Sequence, residues 1–179
     1  MKNIFVINGS ANEQSSNQQL IDHIAGQTKD IFNLTVFNAL KQLPHFDPER
    51  SVDNPPPGII ALRQQVEQAD ALLICTPEYV FSMPAGLKNA IEWCVSTTVF
   101  AGKPTGLITA SANGERGHEE LKLVMKTLMA KFTDETTLLI RGIKGKTNEQ
   151  GTITDEETRN DLTRFITAFN DLAETIRRD

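Results

Sequence analysis

Short runs rich in Ile, Val and Leu recur along the chain at Ile4–Ile7, Leu34–Phe37, Ala71–Cys75, Gly106–Ala110 and Thr137–Ile140. Their length and near-continuous apolar character predict strands buried on both faces. Between them the apolar positions switch to spacings of three and four, which place side chains on one face of a helix. Such stripes are Leu20, Ile21 and Ile24; Leu87, Ala90, Ile91, Cys94 and Val95; and Leu121, Val124, Met125, Leu128 and Met129. A last one, Leu162, Phe165, Ile166, Phe169 and Ile176, marks a long amphipathic helix. These Met and Phe positions read as core. Ile59–Ala69 predicts a further helix, with Pro55, Pro56, Pro57 and Gly58 fixing its first turn. Strands alternating with helices predict five βα units and an α/β fold, a doubly wound five-stranded parallel sheet of order 2-1-3-4-5 with helices on both faces. The stretch from Asn38 to Gly58 is too long for an ordinary βα connection, so an ordered functional or interface loop is expected there.

Composition narrows this picture in a few places. At 179 residues the chain suits a single domain over 1–179. A formal charge of −5 without a long basic stretch argues against a nucleic-acid partner. No run approaches the roughly 20 apolar residues of a membrane span. The first ten residues read as a strand rather than a signal peptide, so a cytoplasmic location without membrane association is expected. Cys75 and Cys94 are distant and form no CxxC pair, which predicts reduced, structural thiols. His23, His45 and His118 are scattered without metal-ligand or nucleophile–base spacing, and surface or turn positions are expected for them. No metal site is expected.

In a sheet of this order, ligands bind beyond the carboxyl ends of the strands, where the strand order reverses between the first and third strands. The chemistry is therefore expected in the turns 9–17, 76–84 and 110–117. The first, NGSANEQSSN, opens a helix and offers Ser10, Asn12, Ser15, Ser16 and Asn17 beside free main-chain N–H groups, a plausible anion cradle. A Ser-rich helix cap would use the same residues. It is neither GxGxxG nor a loop ending GK[ST], which removes the usual support for dinucleotide-fold and ATPase readings. The second turn, TPEYVFSMP, has proline near both ends and presents main-chain amides and an aromatic edge suited to a flat heterocycle. A helix-initiating turn with Tyr79 partly packed is the competing reading.

Together these residues resemble the NADPH-dependent FMN reductases, which share a flavodoxin-like fold. Gly9, Ser10, Ser15 and Asn17 match the family's GSxRxxSxN, while Pro77, Glu78, Tyr79, Ser82, Pro84, Leu87, Lys88, Asn89, Ala90, Ile91 and Trp93 match PEYNxSxPGxLKNAIDW. The likeness implies noncovalent FMN, its phosphate at Ser10, Ser15 and Asn17, with Asn12 and Ser16 of the same turn also expected to bind the cofactor, and its ring beside Pro77, Glu78, Tyr79, Val80 and Phe81. It further implies that Ser111, Ala112, Asn113 and Gly114 of the third turn, ASANGERG, flank the flavin. Asn12 stands where the family has a phosphate-contacting arginine, Val80 replaces an asparagine, and the paired glycines of the third loop are interrupted. Structural roles are expected for Lys88, Asn89 and Trp93, with Asn89 bonding back toward the loop that precedes its helix.

The implied activity is hydride transfer from NADPH or NADH to FMN and then to a small acceptor: a quinone, azo or nitro compound, metal oxyanion, oxygen or free flavin. No acid–base catalytic residue is required, because the cofactor carries the chemistry. A flavodoxin-type electron carrier is the alternative. A charge of only −5 and the lack of a threonine-rich phosphate loop oppose it. A third reading is a fold relative that has lost flavin, for which Asn12 and Val80 are the grounds. A homodimer or dimer of dimers is expected, with the Asn38–Gly58 loop and the helix near Trp93 offering apolar surface.

Overall fold

The computed structural model describes residues 1–12, 14–148 and 150–175. Strands β1 (Lys2–Asn8), β2 (Phe32–Phe37), β3 (Ala71–Thr76), β4 (Thr105–Ser111) and β5 (Thr137–Arg141) form one parallel sheet in the order β2-β1-β3-β4-β5. This is the predicted doubly wound, flavodoxin-like order. Register follows from burial: Val6 pairs with Val36 and Leu73, and Ile74 with Leu107, so apolar side chains coincide on each face.

Helices α1 (Ser16–Thr28), α2 (Pro48–Asp53), α3 (Pro57–Gln68), α4 (Ala85–Glu92) and α5 (Glu115–Thr127) connect the strands, and α6 (Glu156–Thr175) follows β5. Alternation along β1 sends Ile4 and Val6 to one core and Phe5 and Ile7 to the other. Leu20, Ile21 and Ile24 of α1 share the first core with Leu162, Phe165 and Phe169 of α6. The second core takes Leu62 and Val66 of α3, Leu87 and Ile91 of α4, and Leu121 and Met125 of α5. Full burial of each such side chain contributes about 1.5–3 kcal/mol before the entropy cost. Gly106 makes room for α6, since a Cβ there would lie 2.7 Å from Phe165 and 3.3 Å from Phe169, whose rings stack at 6.0 Å.

Several expectations need correction. Val95 and Met129 lie past the ends of α4 and α5 and are 56% and 62% exposed, because the chain leaves the helix before the stripe would bury them. Ile176 falls outside the described residues. His118 is not a surface or turn residue. It lies on α5, half-buried, with Nδ1 2.9 Å from the Thr109 hydroxyl, and burial lowers its pKa to about 4. Asn89 does not bond toward the loop before its helix. Its carbonyl accepts from Phe46 N–H and its amide donates to Pro44 C=O.

That contact explains the order of the 38–58 stretch, which folds as a 3₁₀ turn (Leu40–Gln42) and α2. Trp93, fully buried, donates from Nε1 to Pro44 C=O and meets the Phe46 ring edge-on. Arg63 on α3 donates to the carbonyls of Trp93 and Ser51, tying α2 to the end of α4. Cys75 and Cys94 are buried free thiols. Burial raises the pKa of both, that of Cys94 to about 11, which keeps them protonated.

Candidate functional site

The carboxyl ends of β1, β3, β4 and β5 open into one cavity of about 580 Å³, within the range of small-molecule sites. Ser10, Asn12, Ser15, Ser16 and Asn17 line it from the first turn, Pro77 and Tyr79 from the second, and Ser111 and Ala112 from the third. Five other predicted residues, Glu78, Val80, Phe81, Asn113 and Gly114, do not line it. The sequence reading missed Gln14, Ala110 and the run Gly142, Ile143, Lys144 and Gly145 after β5. A glycine pair bracketing a lysine directly after a strand was the signal for that run, but strand-order reasoning pointed only to the turns nearer the switch.

The first turn is organised so that acceptors face inward and donors remain. Asn8, buried at the end of β1, accepts from Ser10 N–H at 3.0 Å through its side-chain oxygen. Ser10 Oγ accepts from Asn12 N–H, Asn12 Oδ1 from Gln14 N–H, and Ser15 Oγ caps α1 by accepting from Gln18 N–H. With those oxygens engaged, the hydroxyl hydrogens of Ser10 and Ser15 and the amide group of Asn12 are what the turn can offer a ligand. Ser16 and Asn17 N–H precede the first intrahelical bond, from Gln19 N–H to Ser15 C=O, and add main-chain donors at the positive end of the helix. Asn17 itself is committed inward: its amide donates to Ala110 C=O at 3.1 Å, and Cys75 Sγ lies 3.4 Å from its oxygen. Its side chain clamps α1 to the sheet.

The second turn is a tight hairpin. Tyr79 and Ser82 exchange both main-chain hydrogen bonds, at 2.9 and 3.1 Å, around Val80 and Phe81. Both central residues have positive φ, 51° and 61°, the signature of a type I′ turn. Glu78 points away from the cavity into the start of α5, accepting from Gly117 N–H at 2.8 Å and Gly114 N–H at 3.3 Å. A carboxylate there satisfies orphan donors and complements the helix dipole. Glu120, one turn further along, accepts from Ser82 Oγ at 2.6 Å and Met83 N–H at 2.9 Å. Gly117 permits the approach, because a Cβ there would sit 3.2 Å from the Glu78 side chain.

After β5, Gly142 adopts φ 66° and donates to the carbonyls of Ser111 and Ala112 at 2.8 and 3.2 Å. That bond brings the 3₁₀ turn Ile143–Gly145 to the rim, with Ile143 buried beneath it. Among the described residues, the cavity thus combines a donor-rich end of neutral side chains, an apolar and aromatic wall and one lysine. Chemically it suits an anion attached to a flat ring. Among the described residues that line it, none forms a nucleophile–base pair.

A profile described as NADPH-dependent FMN reductase matches residues 2–143, which takes in all three turns and stops one residue short of Lys144. The chain is 34% identical over 128 residues, covering 68% of each chain, to a protein named quinone reductase from Escherichia coli (strain K12). It is 31% identical over 173 residues, 93% of each, to a 2-hydroxy-1,4-benzoquinone reductase from a Burkholderia species. The solved structure of the flavoenzyme NAD(P)H:(acceptor) oxidoreductase FerB from Paracoccus denitrificans shares the fold, with a TM-score of 0.77 at 24% identity over 98% of both chains.

Proposed function

The chain belongs to the NADPH-dependent FMN reductase family, and from that premise we propose that it holds FMN in the cavity at the strand ends and passes reducing equivalents from NADPH or NADH to a quinone. One observation carries this. The donor-rich first turn and the Pro77 and Tyr79 wall line the same cavity, and FMN needs a phosphate cradle and a flat apolar wall in one site. The donor set fits the group: Ser10, Asn12 and Ser15 side chains with the N–H groups of Ser16 and Asn17 for the phosphate, and Pro77, Tyr79, Ser111 and Ala112 about the ring.

When bound, FMN supplies two-electron hydride chemistry between a nicotinamide and an acceptor. The chain's own residues bind and orient. The hairpin, fastened to α5 by Glu78 and Glu120, holds Tyr79 at a fixed height over the rim. Tyr79 is 42% exposed, so the site keeps an open face on which a planar donor and a planar acceptor can alternate. Relatives named as quinone reductases support quinone as the acceptor class.

Anaerobic titration tests the reading. NADPH should bleach the yellow protein, and added benzoquinone should restore the colour. Protein that carries FMN but does not bleach with NADPH or NADH would be an electron carrier instead. A homodimer belongs to the same proposal. The 38–58 segment packs on buried Trp93 and leaves Val52 and Val95 outward at 68% and 56% exposure, an apolar surface. The two buried free thiols suit a reducing, cytoplasmic compartment.

A further inference from the structure

A phosphate monoester near neutral pH carries between one and two negative charges, yet the first turn holds no Lys or Arg, and the described residues by which it lines the cavity are all neutral. Asn12 puts an amide at the mouth of that turn, and Ser10, Ser15 and Ser16 add hydroxyls. Lys144 is the one charged side chain among the described residues that line the cavity. It lines the cavity from a different loop, the 3₁₀ turn that Gly142 anchors to the carbonyls of Ser111 and Ala112.

Its neighbourhood separates it from the other lysine of that turn. Lys146 Nζ is spoken for by Asp155 at 3.2 Å and by Thr158 at 3.0 Å; the Asp155 carboxyl is held down at a pKa of about 2 first by bonds from the Thr158 hydroxyl and N–H and then by Lys146. Lys144 has no ion pair or side-chain hydrogen bond among the described residues, and it is exposed. Ile143, buried at 3% exposure, fixes the backbone from which Lys144 projects.

We propose that Lys144 is the phosphate-pairing cation of this cavity, supplying from the loop after β5 the charge that the turn after β1 lacks. The inference rests on the flavin reading of the site and extends it to a residue outside the three turns. The charge is displaced to a separate element, so the phosphate is held between two loops rather than within one. Binding should therefore draw the 142–145 turn toward α1.

Titration of the FMN-free protein with FMN, followed by quenching of flavin fluorescence, tests it directly. Lys144→Gln should weaken FMN about tenfold at low salt, the lower end for a charge-assisted bond at an exposed position. The loss should shrink as salt screens the pair. Riboflavin, which has no phosphate, should bind both proteins equally, and Lys144→Arg should retain most of the affinity. Asn12→Arg placed in the Lys144→Gln protein should restore FMN binding by returning the charge from the other side.

Unchanged FMN affinity in Lys144→Gln would overturn the inference while leaving the flavin reading intact. Equal weakening of riboflavin would do so too, by making the lysine a structural residue. A rise in KM for NADPH but not NADH, with FMN affinity unchanged, would assign the cation to the nucleotide's extra phosphate and overturn it as well. A parent protein that binds neither flavin would overturn the flavin reading and this one with it.

Discussion

The turns after β1 and after β3 reach the same cavity from neighbouring strands, but they are held by opposite means. The first is stitched by short-range bonds, Ser10 to Asn8, Asn12 to Ser10 and Gln14 to Asn12, each spanning two residues. Such bonds shape the middle of the loop, while among the described residues only its two ends are tied to the sheet, by Gly9 to Cys75 and by Asn17 to Ala110. The second is fastened at long range, through Glu78 to Gly114 and Gly117 and through Glu120 to Ser82 and Met83, and it holds two non-glycine residues at positive φ. The difference divides the work. A rigid hairpin can set the position of a ring, while a donor-rich turn with local bonds can close on an anion.

The sharpest way to break that division is at the residue where the two turns touch. Gly9 continues the β1 to β3 ladder by donating to Cys75 C=O at 2.8 Å, and a Cβ on it would lie 2.2 Å from Thr76 Oγ1 and 2.5 Å from Thr76 Cβ. Neither atom is the end of a flexible chain. Gly9→Ala should cost about 3 kcal/mol in urea unfolding, at the upper end of overpacking penalties. A loss below about 1 kcal/mol would mean that the first turn lifts away from β3 freely, and FMN affinity would then carry the damage.

Next in size is a matched pair of truncations. Glu120→Ala removes a carboxylate that accepts two hydrogen bonds from the hairpin. Bonds to charged groups are worth about 1.5–3 kcal/mol, and partial exposure favours the lower end, so a loss of about 2 kcal/mol is expected. Asn12→Ala removes one exposed local bond and should cost no more than about 0.5 kcal/mol. Similar losses in the two variants would erase the contrast between anchored and local turns.

Acid offers a third probe, because His118 sits on the helix that anchors the hairpin. Burial, followed by the nearby Lys122 charge, lowers its pKa to about 4, while Glu119 opposes the shift. The unfolded chain takes up the proton near the ordinary value of 6.5 and the folded one only near 4. The stability present above pH 6.5 therefore falls as the pH drops toward 4 and levels off below it. His118→Gln should flatten that interval by about 1 kcal/mol, a figure discounted for the ring's partial exposure. An unchanged slope between wild type and variant would show that the ring protonates in the folded protein without penalty.

Much of this was legible before any coordinates. The strands are short and apolar on both faces, so Ile4–Ile7 and Ala71–Cys75 could be read directly, and the right-handed crossover left little choice of order. The cavity's first two turns followed from the switch in strand order. What could not be read was side-chain direction. Glu78, Val80 and Phe81 lie within the matched motif but do not line the cavity: Val80 and Phe81 form the tip of the type I′ turn, and Glu78 is drawn to the N–H groups of Gly114 and Gly117. Asn89 bonds to Pro44 and Phe46 because the 38–58 segment folds onto α4, a contact across more than 40 residues that no local pattern encodes. Strand-order reasoning passed over Lys144, whose loop reaches the cavity through Gly142 bonding to Ser111, a contact between two loops distant in sequence.

A further small effect is expected at the hairpin tip, and it has the opposite sign. Val80 has φ 51° with a β-branched side chain that is 92% exposed. Left-handed backbone costs an ordinary L-residue about 1–2 kcal/mol, with branching at Cβ making it worse, whereas asparagine tolerates it through its short polar side chain. Little packing stands to be lost from a side chain so exposed. Val80→Asn should therefore stabilise the protein by about 0.5–1 kcal/mol in urea unfolding, and Val80→Ala, which removes the branch but keeps the Cβ, should fall between the two. The measurement belongs at low and high protein concentration. A gain that disappears at high concentration would mean that the valine is covered in an assembled form, where its apolar surface offsets the strain. No gain at any concentration would mean that Glu78 and Glu120 impose the turn so completely that the identity of the tip residue does not matter, which would make the anchoring stronger than the comparison of the two turns assumes.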